Sequence, residues 1–332
     1  MHRTWSLFVV ISIAAIRPVN VTATESPTAS FNIGINLGNM LEAPREGDWA
    51  PPFEAGFAKL IKRAGFDHVR LPVRWSAHTA SAYPYAIDAA FLTRVGEVVH
   101  TCRQYGLGVV VNCHHYDAMS VTPTKHLTRL VAIWKQVARK FSNYPQDIRF
   151  EPLNEPHGSL STDLWNRIYP HLLAAIRVSC PHHKIIVGGG SWNSAAELLR
   201  LRIPEGDPNI VATFHFYDPF NFTHQGAEFL GANAPPPGAK YHGTNAERQA
   251  LRKTFKMVSD WRRKTGIPVY LGEFGCYQAA PTECRTRWTS DVKDIASEYK
   301  IGFAYWEFCS TFGAYDPDQR KWRSELLEAL ID

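Results

Sequence analysis

Several common signatures are missing from this 332-residue chain, and each absence narrows the reading. Six cysteines occur, but no two form a C-x-x-C pair, so a structural zinc site is not expected. No Gly-rich phosphate loop follows the first apolar run, and Gly188-Gly189-Gly190 is a weak match to one. No Gly-x-Ser-x-Gly elbow is present, which argues against a serine hydrolase. The formal charge is only +5, and the basic residues are scattered apart from short clusters such as Arg262-Arg263-Lys264. Nucleic-acid binding needs a basic stripe, so no nucleic-acid partner is expected. No sequence repeat or composition shift marks a second domain. Outside the N-terminus no run is long and apolar enough to span a membrane.

Aromatic residues are abundant, with 10 Trp, 13 Tyr and 18 Phe. Most would be core, but so many flat surfaces also suit stacking on sugar rings. Arg3, the apolar run over 7–16 and the small-residue pattern Val21-Thr22-Ala23 read as a secretory signal. The expected organisation is a signal over 1–23, a short linker over 24–30 and one catalytic domain over 31–332. The expected localisation is secreted, as a monomer with no membrane partner. An exported chain is permitted disulfides, and Cys276 and Cys284 flank a loop containing Pro281, which makes them the candidate bridge.

Apolar runs alternate with amphipathic helical stretches along the whole remaining chain. Strands are expected over 31–38, 68–75, 108–115, 148–155, 184–190, 210–217, 268–275 and 301–308. Helical patterns lie near 52–64, 88–105, 124–141, 161–179, 194–200, 244–264 and 281–298, with 321–330 closing the chain. Eight strands separated by helices predict parallel βα units. Their near-continuous Val/Ile/Leu/Phe content fits burial on both faces. The expected fold is a single-domain (β/α)8 TIM barrel, with a doubly wound open sheet as the alternative.

Barrel enzymes carry their chemistry at the C-terminal ends of the strands. Those ends supply Asn36, Asn39 and Glu42, then Arg70, then His114 and His115, then Asn154 and Glu155. Later ends supply His215 and Tyr217, then Glu273, then Trp306 and Glu307. Only the fifth strand end offers nothing polar in this reading. Glu155 and Glu273 come from strands four and seven and could face each other across a sugar. Glycoside hydrolysis needs such a pair, one carboxyl to protonate the leaving oxygen and one to attack the anomeric carbon or activate water. Asn154 could bond the sugar 2-hydroxyl. Arg70 near Glu273 would hold that carboxylate ionised, with His215 and Tyr217 supporting it by hydrogen bonds. Trp306 offers a face for a pyranose ring.

The motifs Asn154-Glu155-Pro156, Tyr270-Leu-Gly-Glu-Phe-Gly275, Val69-Arg-Leu-Pro-Val-Arg-Trp75 and His215-Phe-Tyr217 resemble glycoside hydrolase family 5, the large cellulase and mannanase family. The resemblance runs from about residue 31 to the C-terminus. The segments from Gly34 to Trp49 and from Asn221 to Glu228 look more narrowly like subfamily 25. Members of that subfamily often hydrolyse both β-1,4-glucans and β-1,4-mannans. The resemblance implies a retaining double displacement, with Glu155 as acid/base and Glu273 as nucleophile. Arg70, His114, Asn154, His215, Tyr217 and Trp306 match the remaining family positions. Asn39, Glu42, His115, His224 and Glu307 would contact the glycone sugars. Phe229 stands where related enzymes carry Trp; it keeps a stacking face but lacks the indole donor. The implied partner is a β-1,4-linked polysaccharide or oligosaccharide, with no cofactor.

Rival readings remain open at this point. Glu151 shares a strand face with Glu155 in this reading, one layer deeper, and reads as structural, paired with Arg149 or another base. His114 and His115 are adjacent on a strand and therefore point to opposite sides, which makes them a poor metal pair. A sugar-binding protein that has lost its chemistry would be expected to lack the Glu pair. A transglycosylase shares the covalent intermediate and differs only in what attacks it.

Overall fold

In the computed structural model, residues 31–332 are described. The secretory-signal and linker expectations fall outside them. Eight parallel strands close into a barrel in chain order: β1 (Ile33–Asn36), β2 (His68–Val73), β3 (Gly108–Cys113), β4 (Ile148–Glu151), β5 (Ile185–Gly188), β6 (Ile210–Phe216), β7 (Val269–Phe274) and β8 (Gly302–Tyr305). β8 pairs back to β1 through Ile33 and Phe303, so the barrel itself has no open edge. The fold is a (β/α)8 TIM barrel, and the open-sheet alternative is set aside.

Strands and helices meet in one continuous apolar layer. The helix Pro123–Phe141 shows why: Leu130, Ile133, Trp134, Val137, Ala138 and Phe141 recur at helical spacing and are all buried. Asn245–Thr265 starts on a capping box between Thr244 and Glu247 and stops on Gly266 in the left-handed conformation. Inside the barrel, Val110, Ile186, Val211, Tyr270 and Ala304 fill the lower layer, with Phe31 closing it. Above them the interior turns polar, and that change of layer positions the site.

Two registers break where chemistry is expected. The β6–β7 ladder shifts between Phe214 and His215, and the β7–β8 ladder shifts between Leu271 and Phe274. Such irregularities re-aim side chains at strand ends. Here they bracket His215 and Glu273.

Two expectations need correction. β4 stops at Glu151, ahead of Pro152, and Glu155 has a left-handed backbone with φ 46°. Glu155 and Glu151 are thus not alternate residues of one extended strand. Glu151 is paired with a base, as expected of a structural acid: the base is Arg70, and Arg149 lies over the Phe31 ring, 3.4 Å from its centroid. Cys276 and Cys284 are free buried thiols and not a bridge. The Cys276 sulfur points at the Phe222 and Tyr277 carbonyls, and burial pushes its pKa up to about 12, so it stays protonated.

Candidate active site

The polar layer is organised by one buried arginine. Arg70 Nε and Nη2 donate to Glu151 at 2.6 and 2.9 Å, Nη2 also donates to Asn154 Oδ1 at 2.7 Å, and Nη1 donates to Asn36 Oδ1 at 2.9 Å. Nη1 reaches Glu273 Oε1 at 2.7 Å as well. A planar fork fixed by this many acceptors has one orientation, which arginine provides and lysine cannot. Asn36 is held in turn by the Gly272, Ala304 and Tyr305 carbonyls.

Glu273 receives a second donor, the Tyr217 hydroxyl at 2.9 Å from Oε2. Its side chain is only 5% exposed. Burial pushes its pKa above the usual value, while His215, Arg70 and the Tyr217 bond work against that rise. Glu155 lies across from it. Burial pushes Glu155 up to about 7, and Arg70 opposes this. His215 Nδ1 is 2.7 Å from Glu155 Oε1 and 3.5 Å from Glu273 Oε2, so its main partner is Glu155 and not Glu273 as expected. Burial lowers His215 to about 4, which keeps the ring neutral. With the Asn193 amide nitrogen 3.4 Å from Nε2, the ring proton belongs on Nδ1 and is donated to Glu155.

One atom each from Glu155, His215 and Glu273 lies within 4.8 Å of the others. A cation could also sit among such atoms, but Arg70 already supplies positive charge to Glu273. His114 stacks on Trp306 with centroids 5.6 Å apart and planes at 11°, and its Nδ1 is 2.8 Å from Asn112 Oδ1. Burial holds His114 well below the usual histidine value, so it too is neutral.

A cavity of about 560 Å³ opens over the two glutamates. Of the expected residues, Asn39, His114, His115, Glu155, Tyr217, His224, Phe229, Glu273 and Trp306 line it. Arg70 and His215 stand behind that surface. Asn154 lines an adjoining cavity of about 290 Å³, which shares Glu155, His114 and His115 with the first. Glu42 and Glu307 are fully buried and do not line either cavity. Glu42 accepts the Asn39 N–H, and Asn39 is left-handed with φ 66°. Glu307 accepts N–H groups of Cys309, Ser310 and Phe312 at 2.8 to 3.2 Å. Both therefore shape the wall in this structure and do not present an oxygen to it.

The sequence reading missed several wall residues. Trp49 is 44% exposed and meets His115 edge-on, and Asp48, Glu228, Tyr277 and Phe312 also line the larger cavity. Asn39, His115 and Glu155 all have positive φ. Such strain, of order 1–3 kcal/mol per residue, is concentrated where function is concentrated. A larger groove of about 970 Å³ lies outside the barrel against the helices Asn245–Thr265, Thr282–Glu298 and Ser324–Ile331. It is lined by scattered charges such as Arg287 and Glu325 with no aromatic side chain, and it lies away from the glutamates.

Known proteins resemble the chain in sequence and in fold. The profile of the cellulase family, glycosyl hydrolase family 5, matches residues 21–311. Endoglucanase C of Acetivibrio thermocellus is 30% identical over 348 residues, covering 91% of this chain and 98% of that protein. Endoglucanase H of the same organism is 35% identical over 309 residues, and the chain spans 33% of its length. Thermotoga maritima Cel5A, solved with mannotriose, superimposes with a TM-score of 0.89 at 41% identity, covering 92% of this chain and 98% of that one. These matches, together with two glutamates facing each other at the mouth of a (β/α)8 barrel, make the chain a member of glycosyl hydrolase family 5, the cellulase family.

Proposed function

We propose that the protein is an endo-acting retaining glycosidase that cleaves β-1,4-glucans, with β-1,4-mannan as a side substrate. The separation of the two carboxylates carries this reading. One oxygen of each lies within 4.8 Å of one oxygen of the other, too close to leave the gap an inverting pair needs. Retaining glycosidases hold the pair about 5–5.5 Å apart, whereas inverting enzymes leave roughly 6.5–9.5 Å for a water. Glu273, fixed by Arg70 and Tyr217, attacks the anomeric carbon as Glu155 gives its proton to the departing glycosidic oxygen. Glu155 then takes a proton from water, which attacks the same carbon and frees Glu273.

Two observations support the substrate class. The cavities on either side of Glu155 leave room for sugars on both sides of the cleaved bond, as endo action requires. Cel5A of T. maritima has been solved with cellobiose and with mannotriose. We also propose a secreted monomer; among the described residues no helix is long and apolar enough to cross a membrane.

The test is the anomer of freshly released product, followed by NMR on cello-oligosaccharides. Initial β-product is expected, and initial α-product would overturn the mechanism. Reducing-sugar release from carboxymethyl cellulose, barley β-glucan, glucomannan and galactomannan, side by side, tests the substrate range. Folded protein inactive on all four would overturn that range.

A further inference from the structure

The loop after β5, where the sequence offered nothing polar, contains a built turn. Ser191, Trp192 and Asn193 all lie in the left-handed region, with φ of 48°, 57° and 55°. Three such residues in succession, none of them glycine, persist only where surrounding contacts hold them. The preceding glycines make room for those contacts. A Cβ on Gly188 would lie 2.0 Å from Asn193 Oδ1, and one on Gly190 would lie 2.8 Å from the Thr162 nitrogen. The turn sends Trp192 outward and Asn193 into the core.

Both arms of the turn end on Glu155. The Trp192 ring lies flat on His157, centroids 5.0 Å apart and planes at 11°. His157 Nδ1 donates to the Glu155 carbonyl oxygen at 2.7 Å, and the Trp192 N–H donates to the Pro156 carbonyl at 3.2 Å. On the inner side, the Asn193 amide meets His215 Nε2, and His215 Nδ1 meets Glu155 Oε1. Glu155 is itself left-handed and so needs external support. Trp192 is 58% exposed although one face is covered, and it lines the 290 Å³ cavity with Glu155 and His157.

We infer that His157, Trp192 and Asn193 form a platform that holds the turn and aims the Glu155 carboxyl at the leaving oxygen, through His157 at its carbonyl and through Asn193 and His215 at its Oε1. His157 and Asn193 are positioning residues here, and Trp192 steadies His157 by stacking on it. The inference rests on the reading of Glu155 as the acid.

The experiment measures kcat/KM on aryl β-cellobiosides whose leaving groups run from dinitrophenol to plain phenol. Dinitrophenolate departs without a proton, whereas phenolate departs poorly without one. Wild type, His157→Ala, Asn193→Gly and Glu155→Gln are compared, with Asn193→Gly chosen because glycine keeps the left-handed backbone. General acids contribute roughly 10²–10⁴, so each of the two positioning variants should lose about tenfold or more on the phenyl substrate and under about threefold on the dinitrophenyl one. His157→Gln, which keeps an N–H donor, should recover part of the phenyl activity, and Asn193→Gly carries the test if His157→Ala fails to fold. An equal loss on every leaving group, or no loss, overturns the platform. A steep dependence in Glu155→Gln with a flat one in His157→Ala refutes the platform alone. No dependence in Glu155→Gln overturns the acid assignment itself.

Discussion

Glu151 grips Arg70 with both carboxylate oxygens, both side chains fully buried, and this leaves Nη1 directed at Asn36 and Glu273. Glu151 and Glu273 together hold the arginine charged despite its burial. The position of Glu273, the proposed nucleophile, thus depends on a fully buried carboxylate.

Glu151→Gln should test that dependence. Removing one charge from a buried pair leaves its partner uncompensated and costs about 3–5 kcal/mol. Denaturant unfolding at neutral pH should show the midpoint falling, with kcat falling in the remaining folded enzyme. An unchanged midpoint would show that Glu273 alone suffices to balance Arg70.

Glu155→Gln and Glu273→Gln should each lower kcat on polysaccharide by roughly three orders of magnitude or more, with the fold intact by circular dichroism. If either variant kept a tenth of wild-type activity, the assignment of the pair would be wrong.

Activity should fall as pH rises through about 7, where Glu155 loses the proton that the leaving oxygen needs. It should fall on the acid side as Glu273 becomes protonated. The expected profile is a bell with a mildly acidic optimum. A rate that stays flat from about pH 4 to pH 9 contradicts the carboxyl pair as the titrating groups.

Stability should also decline at alkaline pH. Burial raises Glu42 from 4.5 to about 8, and Glu307 and Glu155 to about 7. A carboxyl raised on folding keeps its proton where the unfolded chain has lost it. Stability present below the unfolded value is therefore lost as pH rises, by up to about 1.4 kcal/mol per pH unit for each group. The buried neutral histidines His114, His215 and His224 act oppositely, but only below their ordinary 6.5. Chemical denaturation should find a clear loss between about pH 6.5 and pH 8, and Glu42→Gln should reduce it. An identical loss in that variant would show that Glu42 does not titrate in this window.

The barrel was legible because its signal is periodic and local. Buried parallel strands read as apolar runs, and all eight expected runs contain an observed strand. Boundaries were less legible: the fourth expected strand extended to residue 155, yet Pro152 and the left-handed Glu155 end the extended backbone earlier. The fifth strand end seemed empty because Trp192 and Asn193 follow three glycines in a turn that no alternation pattern marks. A Trp two residues after Gly188-Gly189-Gly190, with Ser191 between, was the available signal. The candidate disulfide failed for a related reason, since closeness in sequence does not orient two thiols toward each other.

The sequence alone determined the barrel and the family and singled out the two glutamates, because apolar periodicity and short motifs are written in consecutive residues. Only the tertiary structure decided the pairings. Arg70 binds Glu151 and Glu273 across separations of 81 and 203 residues, and His215 turns to Glu155 across 60. Ring closure places β2, β4, β6 and β7 around one axis, and the depth of each carboxyl below the barrel mouth sets its proton affinity. Neither the closure nor the depth is a property of any local stretch of chain.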